Sequence, residues 1–141
     1  MLSIKLLKKM KSEILKILKQ YPTLNSFGFG LYNEGRGLSV NERMSELKKL
    51  QDQLLDNVEQ IQDVVSWLED VDKIVSFNKR HSSYGLKHIV EKYAHRYVAN
   101  GSFIVGSVLS GFKVQIATPN AYFNISEKSL NLKTGGRPYS S

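Results

Sequence analysis

Cysteine is absent from this chain, which removes disulfides, thiolate zinc sites and cysteine nucleophiles from consideration. Also absent is any run of about 18 apolar residues, so no helix is expected to span a membrane. The N-terminal stretch MLSIKLLKKMKSEILKILKQ is partly apolar, but six lysines interrupt it, and the core of a secretory signal does not tolerate that. Both absences point to the cytoplasm. Acids are scarce in the second half: residues 74–141 hold nine bases and only Glu91 and Glu127. A hydrolase or nuclease would place clustered acids beside a histidine or a metal motif. Here the acids gather on a helix in mid-chain instead, so an enzyme is the least fitting class.

What is present has the balance of a folded protein. The apolar fraction is 41% and the charged fraction 23% over 141 residues, enough for one domain with its own core. The net charge of +7 is unevenly laid out. Residues 1–20 carry six lysines against Glu13, and residues 42–73 carry nine acids against four bases. The simplest arrangement sets the basic first helix against the acidic segment, leaving the C-terminal half as the uncompensated positive surface, which attracts polyanions.

Residues 2–19 form an amphipathic pattern through Leu7, Met10, Ile14, Ile17, Leu18 and Tyr21, ended by Pro22. Its lysine-rich back reads as solvated surface, with a membrane surface or nucleic acid as the functional alternatives. LNSFGFGLYNEGRGLSV is glycine-rich, but the lysine and hydroxyl residue that complete a phosphate loop are missing. Alternation of Phe27, Phe29 and Leu31 predicts an extended segment leading into a turn at Asn33–Gly37. Ser39-Val-Asn-Glu42 is a capping box. It opens a long helix, about 40–72, with a stripe through Met44, Leu47, Leu50, Leu54, Val58, Ile61, Val65 and Leu68. This stripe serves either as the spine of a bundle, the favoured reading, or as the seam of a homodimer. SFNKRHSS, residues 76–83, is a polar junction dividing a helical part (1–75) from a basic part (76–141) of what is expected to be one compact unit.

In the basic part, Leu86, Ile89, Val90, Tyr93, Ala94 and Tyr97 fall on one side of a helix at about 100° per residue. The outer face is basic and imidazole-rich. His81, His88 and His95 are seven apart. On a helix that sets His88 and His95 about 10 Å apart, whereas zinc sites use positions i and i+4, so no metal and no cofactor are expected. Asn100 and Gly111 bracket a second helix, NGSFIVGSVLSGF, with an apolar side and a side of small residues, Ser102, Gly106 and Ser110. Small residues four apart let another backbone approach closely: a helix of this chain, or a partner. Phe112–Ala117 and Tyr122–Ile125 then read as a hairpin around Thr118-Pro119-Asn120. Asn124-Ile-Ser126 is a formal glycosylation triplet better read as a cap for the segment after it, and the tail KTGGRPYSS reads as disordered.

The expected fold is therefore mainly α with a small β hairpin, the C-terminal half resembling a helix-turn-helix or winged helix. In that geometry Asn100, Ser102, Phe103 and Ser107 face a groove. Lys79, Arg80, Lys87, His88, Lys92, His95, Arg96 and Lys113 lie toward phosphates. The reading helix has no Arg, Lys or Gln, so binding would be mostly electrostatic and weakly sequence-specific, with DNA favoured over RNA. The strings SSYGLKHIVEKY, YVANGSFI, SGF and PNAYFNIS, spanning about residues 82–127, resemble a group of small proteins of bacterial plasmids, prophages and integrative elements. That resemblance implies a mobile-element setting. There, small non-enzymatic proteins are often DNA-binding accessories or inhibitors of host defence complexes (anti-CRISPR-like). It carries over no catalytic residues. A protein-interaction module is thus the alternative to nucleic-acid binding.

Overall fold

The computed structural model describes residues 3–135. Leu2 and most of the predicted tail, residues 136–141, lie outside the described residues. Helix α1 (Ile4–Gln20) starts where the Ser3 hydroxyl accepts the Leu6 N–H at 3.2 Å. It buries Ile14 and Ile17. A two-rung antiparallel hairpin follows, β1 (Leu24–Asn25) and β2 (Gly28–Phe29). A tight 3-10 turn at Tyr32–Gly35 comes next, with Asn33 and Glu34 in the left-handed region.

The capping box forms as expected: the Ser39 hydroxyl accepts the Glu42 N–H, and the Glu42 carboxylate accepts the Ser39 N–H. The single helix expected over about 40–72 does not. It divides into α2 (Val40–Asp56) and α3 (Val58–Leu68) at Asn57, whose φ of −89° and ψ of 29° leave the helical range. Asparagine side chains compete with the helical backbone, and the break lets one apolar stripe face two partners. α2 lies along α1 and β1, while α3 turns onto the C-terminal half. Leu54, Val58, Ile61 and Leu68 are buried in the chain's own core, whereas Met44 stays exposed.

The chain then enters β3 (Lys73–Asn78), so the expected polar junction is a strand running into a helix cap. After it come α4 (Ser83–Ala94), α5 (Asn100–Leu109), β4 (Val114–Ala117), β5 (Asn120–Ile125) and α6 (Glu127–Thr134). The Ser126 hydroxyl caps α6 by accepting the Ser129 N–H, so Lys133 and Thr134, read as tail, are helical. The three strands form one antiparallel sheet in the order β3-β5-β4. The expected hairpin is β4–β5, and β3 is its unforeseen third strand. Among the described residues the result is six α helices with two small antiparallel sheets.

A continuous core runs from Ile14 to Leu130 and draws on both halves of the chain. α5 lies at its centre: residues 100–107 are all buried. The reason is compositional. The helix carries no charge, and its two glycines admit neighbours on two different sides. A Cβ built on Gly106 would sit 2.5 Å from Val64 Cγ1, so α3 occupies that notch. A Cβ on Gly101 would run into the Asn25 carbonyl oxygen of β1. Ring packing of Phe103 on Phe123, edge to face at 5.6 Å, joins α5 to the sheet.

Candidate nucleic-acid interface and an adjoining groove

Burial of α5 overturns its expected role as a reading helix. Asn100, Ser102, Phe103 and Ser107 are all buried and cannot face a groove in this fold. Asn100 does not cap the helix through its side chain. Its amide donates to the Phe27 carbonyl at 3.1 Å and to Asn120 Oδ1 at 3.0 Å. The Ser102 hydroxyl reaches Gln60 Oε1 at 2.9 Å, and Ser107 donates to the Phe103 carbonyl. What covers the start of α5 is the N-terminal hairpin. The Gly101 N–H donates to the Ser26 carbonyl, and the Phe29 N–H donates to the Pro119 carbonyl. Asn25 braces that hairpin from inside, donating to the Thr23 and Gly30 carbonyls and accepting the Phe27 N–H. Asn25, Phe27 and Gln60 thus matter to this region; alternation marked Phe27 only as part of an extended segment, and no local pattern in the sequence marks Asn25 or Gln60.

The expected phosphate contacts divide in two. Lys79, Arg80, Lys92, His95 and Lys113 are exposed. Lys87, His88 and Arg96 are instead held by carboxylates. Lys87 is 4% exposed, its ammonium 3.2 Å from Glu91 Oε2, and His88 Nδ1 lies 2.7 Å from Glu91 Oε1. The same carboxylate accepts the Val98 N–H at 3.0 Å, fixing the turn between α4 and α5. Burial alone would raise the Glu91 carboxyl, but the Val98 N–H, His88 and Lys87 together hold it below the usual glutamate value. Arg96 bonds Glu59 at 2.8 Å and lies 2.9 Å from Asp63 Oδ2. That second pair attracts by charge without the alignment of a hydrogen bond, and burial pushes the Asp63 carboxyl up despite the guanidinium. The third histidine, His81, faces Glu127 at 2.8 Å. Among the described residues no group of three or more His, Asp or Glu side chains could hold a metal ion.

These pairings redirect the charge balance. Acids of α3 and of the turn after it go to Arg96 and Lys133, while α1 lies against the acidic segment, along α2, as expected. Among the described residues, none of the α1 lysines lies in an ion pair. Lys5, Lys8, Lys9, Lys16 and Lys19 are all exposed. At about 100° per residue they share a sector roughly 100° wide, centred opposite buried Ile14, and at the helical rise they extend over roughly 21 Å.

Three adjoining clefts run from the flank of α1 across the α4–α5 turn. The first, about 490 Å³, is bounded by Leu7, Lys11 and Arg96, and it shares Asn57 and Gln60 with the second, about 540 Å³. The second shares Phe27 and Tyr97 with the third, about 650 Å³, which ends at Tyr84, Asn100 and Asn120. The Tyr84 and Tyr97 rings flank the Lys87 ammonium at 5.3 and 4.5 Å, and both remain largely exposed.

No protein-family model, no curated protein and no solved structure matches this chain. No helix among the described residues is long and apolar enough to cross a membrane.

Proposed function

We propose that this protein is a nucleic-acid-binding accessory or regulatory protein of a mobile genetic element, and that its principal contact is the lysine face of α1. The single observation carrying this reading is the stripe of five exposed, unpaired lysines, Lys5 to Lys19, on a helix whose apolar side is already buried in the core. Ile14 and Ile17 are buried, and the apolar residues that stay exposed on the helix, Ile4, Leu6 and Leu15, make no continuous face, which favours a hydrated polyanion over a bilayer. Exposed Lys79, Arg80, Lys92 and Lys113 add positive charge on the C-terminal half. The order α3-β3-α4-α5-β4-β5, with β3 beside β5, supports a winged-helix-like reading of the scaffold. Its second helix is covered by the chain's own hairpin, so contact is with the phosphate backbone and base-edge readout is weak.

The test is fluorescence anisotropy with labelled duplex and single-stranded oligonucleotides across a salt series. Neutralising about five phosphates gives a slope of log affinity on log salt near −4.5 for duplex, and Lys5→Glu/Lys9→Glu/Lys16→Glu should flatten it by about 3. No binding at low salt, or a slope indifferent to the triple variant, overturns the reading; so does capture by anionic vesicles alone. A protein partner is the second reading. It is favoured by the bulge of β3, where Ile74 is 39% and Val75 91% exposed, and its mark would be a stoichiometric complex that survives high salt.

A further inference from the structure

We infer that the groove ending between Tyr84, Tyr97 and Asn100 receives unpaired nucleobases, so that the strand preferred by this protein is single-stranded; this rests on the nucleic-acid reading above. Two independent features of the groove point to bases. The first is what its floor lacks. In the third cleft the one lysine among the described residues, Lys87, is cancelled by Glu91, so its floor carries no spare lysine or arginine for a phosphate. What it offers is ring surface: Tyr84 is 49% and Tyr97 65% exposed, and Phe27 lies in the wall that joins the second and third clefts. Exposed aromatic faces are where successive bases of a single strand stack, with little regard to sequence.

The second feature is an unsatisfied acceptor. Asn100, 7% exposed, lines the third cleft and gives its amide N–H groups to Phe27 and Asn120, with a longer contact to Pro119. Its Oδ1 is buried and accepts no hydrogen bond. A buried acceptor without a donor is costly, and a shift of the Asn100 side chain toward the cleft would let the exocyclic amino group or ring N–H of a base supply one. Bases in a duplex are stacked, so their faces are closed to the rings, and their Watson–Crick N–H groups are already paired. The α1 lysines give salt-dependent attraction to either form, while the groove distinguishes them. The network beneath serves the tyrosines: Lys87 lies against both rings and is anchored by Glu91, which keeps the two platforms apart and upright.

The experiment compares a 12-nucleotide single strand with the corresponding duplex at one fixed salt concentration, for the wild type, Tyr84→Ala/Tyr97→Ala and Tyr84→Phe/Tyr97→Phe. Alanine at both positions should weaken single-strand binding roughly ten-fold or more per ring, leave duplex binding and the salt slope unchanged, and remove quenching of a 2-aminopurine base in the strand. Phenylalanine keeps the ring and should keep the affinity, which separates stacking from loss of fold. Equal affinity of the wild type for both forms, or equal losses for both forms in the alanine variant, overturns the inference. If in that case the α1 triple variant still abolishes binding, the electrostatic reading stands without the base site. If the wild type binds neither form, both readings fall.

Discussion

Gly106 is where the packing of this protein can be tested most sharply. In an exposed helix, replacing glycine by alanine would stabilise by about 1 kcal/mol. Here the new methyl would lie 2.5 Å from Val64 Cγ1, 2.7 Å from Val64 Cβ and 3.3 Å from the Ile61 carbonyl oxygen, whereas carbon atoms pack at about 3.5–4.0 Å. Turning the valine cannot relieve this. Its Cβ is fixed to the α3 backbone, and a β-branched side chain in a helix has essentially one rotamer. The two helices must separate by about 1 Å, an overpacking cost of about 3 kcal/mol, so Gly106→Ala should lose about 2 kcal/mol net, and Gly106→Leu more. The stronger form is a reciprocal exchange. Val64→Gly alone should cost about 4 kcal/mol, from the cavity and the helix penalty together. Moving the notch to the other helix, Gly106→Ala/Val64→Gly, should restore about 2 kcal/mol relative to the sum of the single changes. Urea denaturation followed by circular dichroism measures all three. A Gly106→Ala protein as stable as the wild type, or single effects adding within about 0.5 kcal/mol, would refute the close approach of α3 and α5.

Two further predictions concern the buried charges. Glu91→Gln should cost about 3 kcal/mol, because it leaves the Lys87 ammonium buried without a counter-charge. Lys87→Met should cost less, since His88 and the Val98 N–H still satisfy the carboxylate; the opposite ranking of the two urea midpoints would sink the account. Glu127 behaves like Glu91. Burial would raise its carboxyl, but Asn78, His81 and the nearby Arg80 bring it below the ordinary 4.5. For a carboxyl depressed in the folded state, the stabilisation is fully present above the ordinary value and is lost as pH falls below it. Urea midpoints should therefore drop as the pH is lowered beneath about 4.5, and Glu127→Gln should flatten that drop. An unchanged acid slope in the variant would show that this carboxylate does not contribute.

Much of the fold was legible locally. Ser39 and Glu42 cap a helix because their side chains bond backbone groups within the same turn, a matter of spacing alone. Ile14 and Ile17 go inward because one face of α1 is apolar. The hairpin over residues 112–125 follows from alternation interrupted at Thr118-Pro119. The site was less legible. Asn100, Ser102, Phe103 and Ser107 have the composition of a surface that meets something close, and they do meet something close, but it is the chain's own α3 and N-terminal hairpin. Nothing in a string of serines and glycines says which neighbour arrives.

The sequence by itself determined the helices and their caps, the apolar faces, the sign and quantity of charge and the absence of thiol chemistry, since each depends on residues a few positions apart. Tertiary structure alone decided which charges cancel. Glu59 and Asp63 meet Arg96 across more than thirty positions, and among the described residues no acid closes an ion pair with the lysines of α1. It also decided that α5 is core and not surface, because burial belongs to the whole assembly of helices and not to the helix that is buried.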